Sequence, residues 1–176
     1  MRPVATPWVV IGPSGSGKST LASAFVAAHP AYELVRTHTT RPRRFAGENT
    51  HVFVDEATFA ATTFLGTVDV FGARYGLPPL TTAQTPIIPL RVFVLDRFAA
   101  LCPGARVVQV EAPLDLLVRR LHERGEVDRA DPADLARETS RGREAADVIV
   151  DASGTVAANL AAFAAAILTH ADPGDA

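Results

Sequence analysis

Nine consecutive residues concentrate the chemistry that this chain can do. Gly12-Pro13-Ser14-Gly15-Ser16-Gly17-Lys18-Ser19-Thr20 fits the pattern of a glycine, four residues, then Gly-Lys-Ser/Thr, in which the backbone curls its N–H groups around phosphate oxygens. Glycine permits the tight curl. A helix that starts at the loop adds free N–H groups and the positive end of its dipole. Lys18 would bridge the β- and γ-phosphates of a nucleotide, and the Ser19 hydroxyl would ligate Mg²⁺. ATP and Mg²⁺ are therefore the expected cofactors. Gly12, Ser14 to Ser19 and Thr20 are expected to hold the nucleotide.

A second group lies downstream in Thr37-His38-Thr39-Thr40-Arg41-Pro42-Arg43-Arg44-Phe45-Ala46-Gly47-Glu48-Asn49. Guanidinium forks grip phosphate bidentately. With a phosphate loop upstream, this basic turn reads as a clamp on a second phosphate group. A third group is spread over two helices: Arg119, Arg120, Arg124 and Arg129 on or after one, Arg137, Arg141 and Arg143 on or after the next. Arg137 and Arg141 are four apart and share a face. An arginine-bearing hairpin closing over phosphates would stabilise the charge on a transferring phosphoryl group and exclude water. Salt bridging with the interleaved Glu123, Glu126, Asp128, Asp131, Asp134 and Glu138 is the alternative reading of each of these arginines.

The elements needed to position these groups can be read from the pattern. Pro7 to Ile11 is a short apolar run ending at Gly12, a buried strand. Ser19 to Ala28 has helical apolar spacing and stops at Pro30. Tyr32 to Val35, His51 to Val54 and Thr67 to Phe71 read as strands, with a helical start at Asp55-Glu56. Arg106 to Glu111 is a strand. The amphipathic helix after it carries Leu114, Leu117, Val118 and Leu121 and is capped by Gly125. Asp131-Pro132 opens a helix towards Arg141. Asp147 to Val150 is the last strand, and Ser153 to Thr155 opens a helix that ends before Pro173. Between Leu77 and Leu90 two readings stay open. Ile87-Ile88 is a strand followed by a helix, which the spacing slightly favours, or Val92 to Leu95 is the strand. The choice decides whether Asp96 stands on a helix or at a strand end. This alternation argues one α/β domain over 1–176, a three-layer sandwich around a mostly parallel sheet.

Composition removes other readings. Of 17 basic Lys and Arg residues only Lys18 is a lysine. No lysine-rich tail exists for nucleic acid or acidic lipid, and an Asn-Lys-x-Asp guanine reader would need a second lysine. One cysteine, Cys102, forms no internal disulfide and suits a reducing, cytoplasmic compartment. The run from Val156 to Leu168 is too short for a bilayer span. Five histidines lack zinc-ligand spacing. The expected partner is a small phosphorylated molecule, neither nucleic acid nor membrane, and the chain is expected to be a monomer or homodimer. Arg2, Arg91, Arg97 and Arg106 read as ordinary surface charge, Trp8 as core and Asp69 as an edge-strand carboxylate.

The order Gly-Pro-Ser-Gly-Ser-Gly-Lys-Ser-Thr, Thr-Thr-Arg-Pro-Arg-Arg, Gly-Glu and Val-Phe-Gly-Ala-Arg-Tyr-Gly resembles guanylate kinase, which moves the ATP γ-phosphate to GMP. The resemblance continues through Arg119 to Gly125 and Asp147 to Val150. It implies a P-loop kinase with an acceptor-binding segment about 36–80 and a lid about 124–141. Arg41 and Arg44 would hold the acceptor phosphate with Tyr75, and His51 falls where that family has a phosphate-binding tyrosine. Thr37 and Asp96 would complete the acceptor site, and Arg124 and Arg137 would reach the transferring phosphate. The family's guanine-reading glutamate is missing near Gly66 and Thr67, and Leu77 replaces its serine. Ribose 1,5-bisphosphate phosphokinase, with no base to read, is similar at Gly47-Glu48-Asn49, Arg74 to Pro78, Glu111 to Leu114 and Asp151 to Gly154. A nucleoside monophosphate is the first expectation for the acceptor and ribose 1,5-bisphosphate the alternative. A nucleotide-binding module without catalysis is the reading from another class.

Overall fold

A computed structural model describes residues 5–80 and 84–170. Five strands make the main sheet: β1 (Trp8–Ile11), β2 (Tyr32–Leu34), β7 (Thr85–Pro89), β8 (Arg106–Glu111) and β9 (Val148–Asp151). Their order is β2-β7-β1-β8-β9, and every neighbouring pair is parallel. Four shorter strands form a separate mixed sheet in the order β4-β3-β6-β5: β3 (His38–Thr39), β4 (Val52–Phe53), β5 (Gly66–Val70) and β6 (Ala73–Leu77). The sequence pattern contains no separate signal for β3 or β6. β3 has only two residues, and β6 carries Gly76, against which the Phe64 ring packs so closely that a Cβ would meet it at 2.7 Å.

The strands of the main sheet are apolar on both faces because helices cover both. Trp8, Val10, Ile87, Val108 and Val150 face α1 (Lys18–Ala28) and α6 (Val156–Thr169), where Leu21, Phe25, Phe163 and Ile167 complete the layer. Val9, Ile11, Ile88 and Val107 face the other way, towards Val92, Leu95 and Phe98 of α3 (Val92–Ala99). Cys102 packs at the end of that helix. α5 (Pro132–Ala145) lies beside α3 and across β8. Its Gly142 makes that approach possible, since a Cβ there would meet Gln109 Oε1 at 1.5 Å. α4 (Leu114–Glu123) closes a small third cluster with Leu117, Leu121, Ala130 and Leu135.

Local sequence sets the helix starts. Asp55 accepts from the Thr58 amide ahead of α2 (Glu56–Ala61), Asp131 from Asp134 with Pro132 at the first turn, and Thr155 from Ala158. The stretch with two readings resolves as strand β7 followed by helix α3, so Asp96 stands on a helix. Residues 124–131, including a single 3-10 turn at Val127–Arg129, join α4 to α5. Among the described residues no helix is long and apolar enough to cross a membrane. Pro173, expected beyond the last helix, and Arg2 lie outside the described residues.

Candidate active site

β1 runs straight into the phosphate loop. Gly12 sits against β8, where a Cβ would meet the Val110 carbonyl oxygen at 2.2 Å. Gly15 and Gly17 hold left-handed backbone at φ 82° and 89°, a conformation costly for residues with a Cβ. Gly17 is the cap of α1, so Lys18 and Ser19 lie in the first helical turn with the helix N-terminus behind them. Arg120 fastens the loop from outside, donating to the Gly15 and Ala152 carbonyls at 3.4 and 2.9 Å.

Burial, and then the nearby Arg129, lower the Lys18 pKa to about 7; Glu138 opposes that shift, and Arg91 and Arg44 add to it. A buried ammonium among three guanidinium groups needs an anion close by. The Ser16 hydroxyl is buried with no hydrogen-bond partner, and so is Nε of Arg91. These donors, the loop backbone and Lys18 fit the phosphates of a nucleotide. The Ser19 hydroxyl, at the helix start, fits a magnesium ion held between it and the phosphates. Thr20 follows and is exposed. Among the described residues, no group of three or more His, Cys, Asp and Glu is placed to hold a metal ion.

The acceptor segment is organised by a residue that the sequence reading did not single out. Glu48 has a fully buried carboxylate that accepts from Arg41 at 2.8 and 3.2 Å, from the Arg44 amide at 2.7 Å and from the Thr50 hydroxyl at 3.0 Å. Burial raises its pKa, but the Arg41 and Arg44 bonds outweigh that and hold it at about 2. Arg41 and Arg44 therefore stand as fixed cations. Tyr75 lies beside Arg41, and the His51 ring is 5.5 Å from the Tyr75 ring. Thr37 Oγ1 meets His51 Nδ1 at 2.8 Å. Burial, then Arg41, depress the His51 pKa to about 4, leaving a neutral imidazole at pH 7. Thr37, Arg41, Arg44, His51 and Tyr75 thus form one contiguous cluster.

The expected lid arginines are placed differently from the sequence expectation. Arg137 is exposed and pairs with Asp134 on its own helix. Arg124 is exposed at the end of α4. Asp96, expected at the acceptor, points into the groove between α3 and α5 and pairs with Arg141. Helix spacing explains two of them, since Arg137 meets an opposite charge three residues away on its own helix and Asp96 meets one on the adjacent helix. Arg129 reaches the loop instead. It donates to the Ser14 hydroxyl at 2.6 Å and to Glu126 at 2.5 Å. Glu126 also takes a bond from Arg44 at 2.9 Å, so one carboxylate bridges the acceptor cluster and the phosphate loop.

Arg91 is a second correction. Read as surface charge, it follows the carboxyl end of β7, the strand paired with β1, and donates to Glu138 at 2.6 Å. Val10 pairs with Pro89, which brings Arg91 level with the start of the loop. The signal available in the sequence was positional: a charged residue just past the strand next to a phosphate-loop strand.

Comparison with known proteins agrees with this geometry. An AAA domain family model matches residues 8–141. Ribose 1,5-bisphosphate phosphokinase of Brucella melitensis is 32% identical over 168 residues, covering 88% of this chain and 87% of that one. The chain belongs to the guanylate kinase and ribose 1,5-bisphosphate phosphokinase group of P-loop kinases. The chain is also 38% identical over 135 residues to a bifunctional ribose 1,5-bisphosphokinase-thymidine phosphorylase of Cupriavidus necator; that match covers 71% of this chain and only 22% of the bifunctional protein. In fold the chain resembles a solved guanylate kinase from Anaplasma phagocytophilum, with a TM-score of 0.73, 17% identity, and coverage of 98% of this chain and 89% of that one.

Proposed function

We propose that this kinase uses Mg-ATP to phosphorylate the 1-phosphate of ribose 1,5-bisphosphate, giving 5-phosphoribosyl diphosphate and ADP. The observation that carries the reading is the arrangement of the two halves. A cluster of phosphate-type donors, Arg41, Arg44, Tyr75 and His51 with Thr37, connects through Glu126 and Arg129 to the phosphate loop. An acceptor phosphate oxygen would attack the γ-phosphorus in line as the bond to the bridging oxygen breaks. No general base is required, because the acceptor is already an anion. Lys18 and Arg129 would neutralise charge on the transferring group, and positioning plus charge stabilisation does the rest.

The acceptor assignment rests on three supports. The near-full-length relative bears the ribose 1,5-bisphosphate phosphokinase name. No carboxylate stands at Gly66 or Thr67 to read guanine, and Leu77, in place of a serine, is fully buried. A carboxylate that pairs with a base confers discrimination that its absence forfeits. The sequence read alone places a nucleoside monophosphate first, and the Thr39-Thr40-Arg41-Pro42-Arg43-Arg44 stretch keeps GMP as the second reading.

ADP release measured with ATP, Mg²⁺ and each of ribose 1,5-bisphosphate, ribose 5-phosphate, GMP, AMP, CMP and UMP tests both. The highest kcat/KM is expected with ribose 1,5-bisphosphate. A preference for GMP would reverse the order of the two readings. Absence of acceptor-stimulated turnover with all of them would remove the kinase assignment and leave a binding module.

A further inference from the structure

Glu138 is a buried acid at a place built for anions. It lies on α5, is 4% exposed, and spends its two carboxylate oxygens on two distant parts of the chain. Oε2 accepts from the backbone amide of Ser14, inside the phosphate loop, at 3.2 Å. Oε1 accepts from Arg91 at 2.6 Å. The Ser14 hydroxyl is meanwhile held by Arg129. One loop residue is therefore gripped at its amide by α5 and at its side chain by the segment before α5.

The grip is fixed from behind. Gly142 stands one turn after Glu138 on the same face of α5, pressed onto Gln109 of β8. Gln109 in turn donates to the Thr139 carbonyl at 3.0 Å. The helix cannot retreat from the sheet without breaking these contacts, so Glu138 is presented to the loop. Its two bonds are unequal. A charge-assisted N–H···O bond is usually about 2.7–2.9 Å. The Arg91 contact is short and the Ser14 contact is long, so the second is the one that gives way.

Charge supplies the reason for the arrangement. Lys18, Arg91 and Arg129 crowd the loop, and Glu138 acts on Lys18 in the opposite sense to both arginines. We infer that Glu138, held by Arg91, is the internal counter-anion of the phosphate loop: it occupies the Ser14 amide and balances Lys18 until the terminal phosphates of a nucleotide replace it. It is a positioning residue, acting on the loop and on Arg91. The inference rests on the kinase reading of the site and deepens it, since it makes nucleotide affinity depend on how easily one carboxylate is displaced.

The test is equilibrium binding by calorimetry at low salt, with ATP, pyrophosphate and AMP, on the whole chain. Glu138→Gln keeps the shape and an acceptor for Arg91 but removes the competing charge. ATP and pyrophosphate should bind about 5- to 10-fold tighter, within the usual range of site-to-site coupling, and AMP, which lacks the terminal phosphates, should be unchanged. Glu123→Gln, at an exposed carboxylate of α4, controls for the general field and should change nothing. Arg91→Met leaves Glu138 unpaired beside the loop and should weaken ATP binding, while the double variant Arg91→Met/Glu138→Gln should return towards the wild-type value. The single Arg91 variant also decides the matter if Glu138→Gln fails to fold: unchanged or tighter ATP binding by Arg91→Met overturns the inference. So does unchanged or weaker ATP binding by Glu138→Gln, tightening that AMP or Glu123→Gln shares, or a double variant no better than Arg91→Met alone. If the wild-type protein binds neither ATP nor pyrophosphate, the kinase reading falls and takes this inference with it; wild-type binding with any of the contrary outcomes above overturns the inference alone.

Discussion

The phosphate loop and the acceptor segment both gather positive charge, but they balance it over different distances. In the acceptor segment the balance is mainly local: Glu48 holds Arg41 and Arg44, seven and four residues before it, within one turn-rich stretch, and Arg44 alone also reaches out, to Glu126. At the loop it is long-range. Glu138 is 124 residues from Ser14, and Arg129 is 115 residues from it. The acceptor arginines can therefore be ordered by their own segment. The loop is complete only after β7, β8 and α5 have packed around β1. The difference predicts that damage at the loop is felt in the chemistry, while damage at Glu48 is felt first in the stability of one segment.

The largest effect should come from the loop itself. Lys18→Met should lower kcat/KM by about 10³-fold, the upper range for loss of one transition-state donor, with circular dichroism and thermal melting unchanged or slightly improved. Removal of a buried ammonium cannot harm folding through lost burial. Retained turnover would show that the loop binds nucleotide without using its lysine. Arg129→Met comes next, with a loss of about 100-fold in kcat, the lower end of the range for a single positioned electrostatic donor. Arg124→Met and Arg137→Met should stay within about threefold of wild type, because an exposed arginine and an exposed i,i+3 pair contribute little. Equal losses at all three positions would mean that the whole 124–141 segment moves far enough during turnover to bring each arginine to the phosphates.

The same contrast explains what could be read before the fold was known. The loop is legible because its geometry is local: a strand, a glycine-rich turn and a helix start are all encoded within residues 8–20. The parallel main sheet is legible because each buried strand is a short apolar run between turn residues. The acceptor arginines stand out as a basic run, but Glu48 does not, since its role depends on the turn that folds it back under Arg41. Arg91 depends on the pairing of β7 with β1, which no local pattern encodes. The arginines of α4 and α5 all carry the same signal, alternating with acids at helical spacing. Only the packing of residues 125–131 against Ser14 selects Arg129 from that set and leaves Arg137 with Asp134.

Glu48→Gln breaks the comparison from the acceptor side. The buried carboxylate would become a neutral amide facing two guanidinium groups. Leaving them without their counter-charge should cost about 2 kcal/mol in urea unfolding, within the range for a broken buried polar pair. KM for the acceptor should rise while KM for ATP stays near wild type. A change in ATP affinity as large as the change in acceptor affinity would show that the Arg44–Glu126–Arg129 bridge carries the effect across, and that the two halves are not separately ordered.

Protons give the finest discrimination between the halves. Lys18 and His51 are both depressed mainly by burial, to about 7 and about 4. A phosphate placed beside either raises its pKa, because the charged form gains an anion. At pH 8 most Lys18 side chains are neutral in the free protein, so ATP binding must bring a proton in. Calorimetry in buffers of different ionisation enthalpy should show uptake approaching one proton at pH 8 and falling off below pH 7. His51 starts so low that the acceptor should take up none there. In the free protein the sign for stability follows from the same values. Between about pH 4 and 6.5 the unfolded chain binds a proton at His51 that the folded one does not, so stability falls as pH drops through that window. At Lys18 the unfolded chain holds its proton up to the ordinary lysine range, so this group's contribution to stability rises with pH above about 7. Proton uptake with ATP that disappears in Lys18→Met but persists in His51→Gln would assign it to the donor half; the reverse pattern would move the titrating group across the cleft.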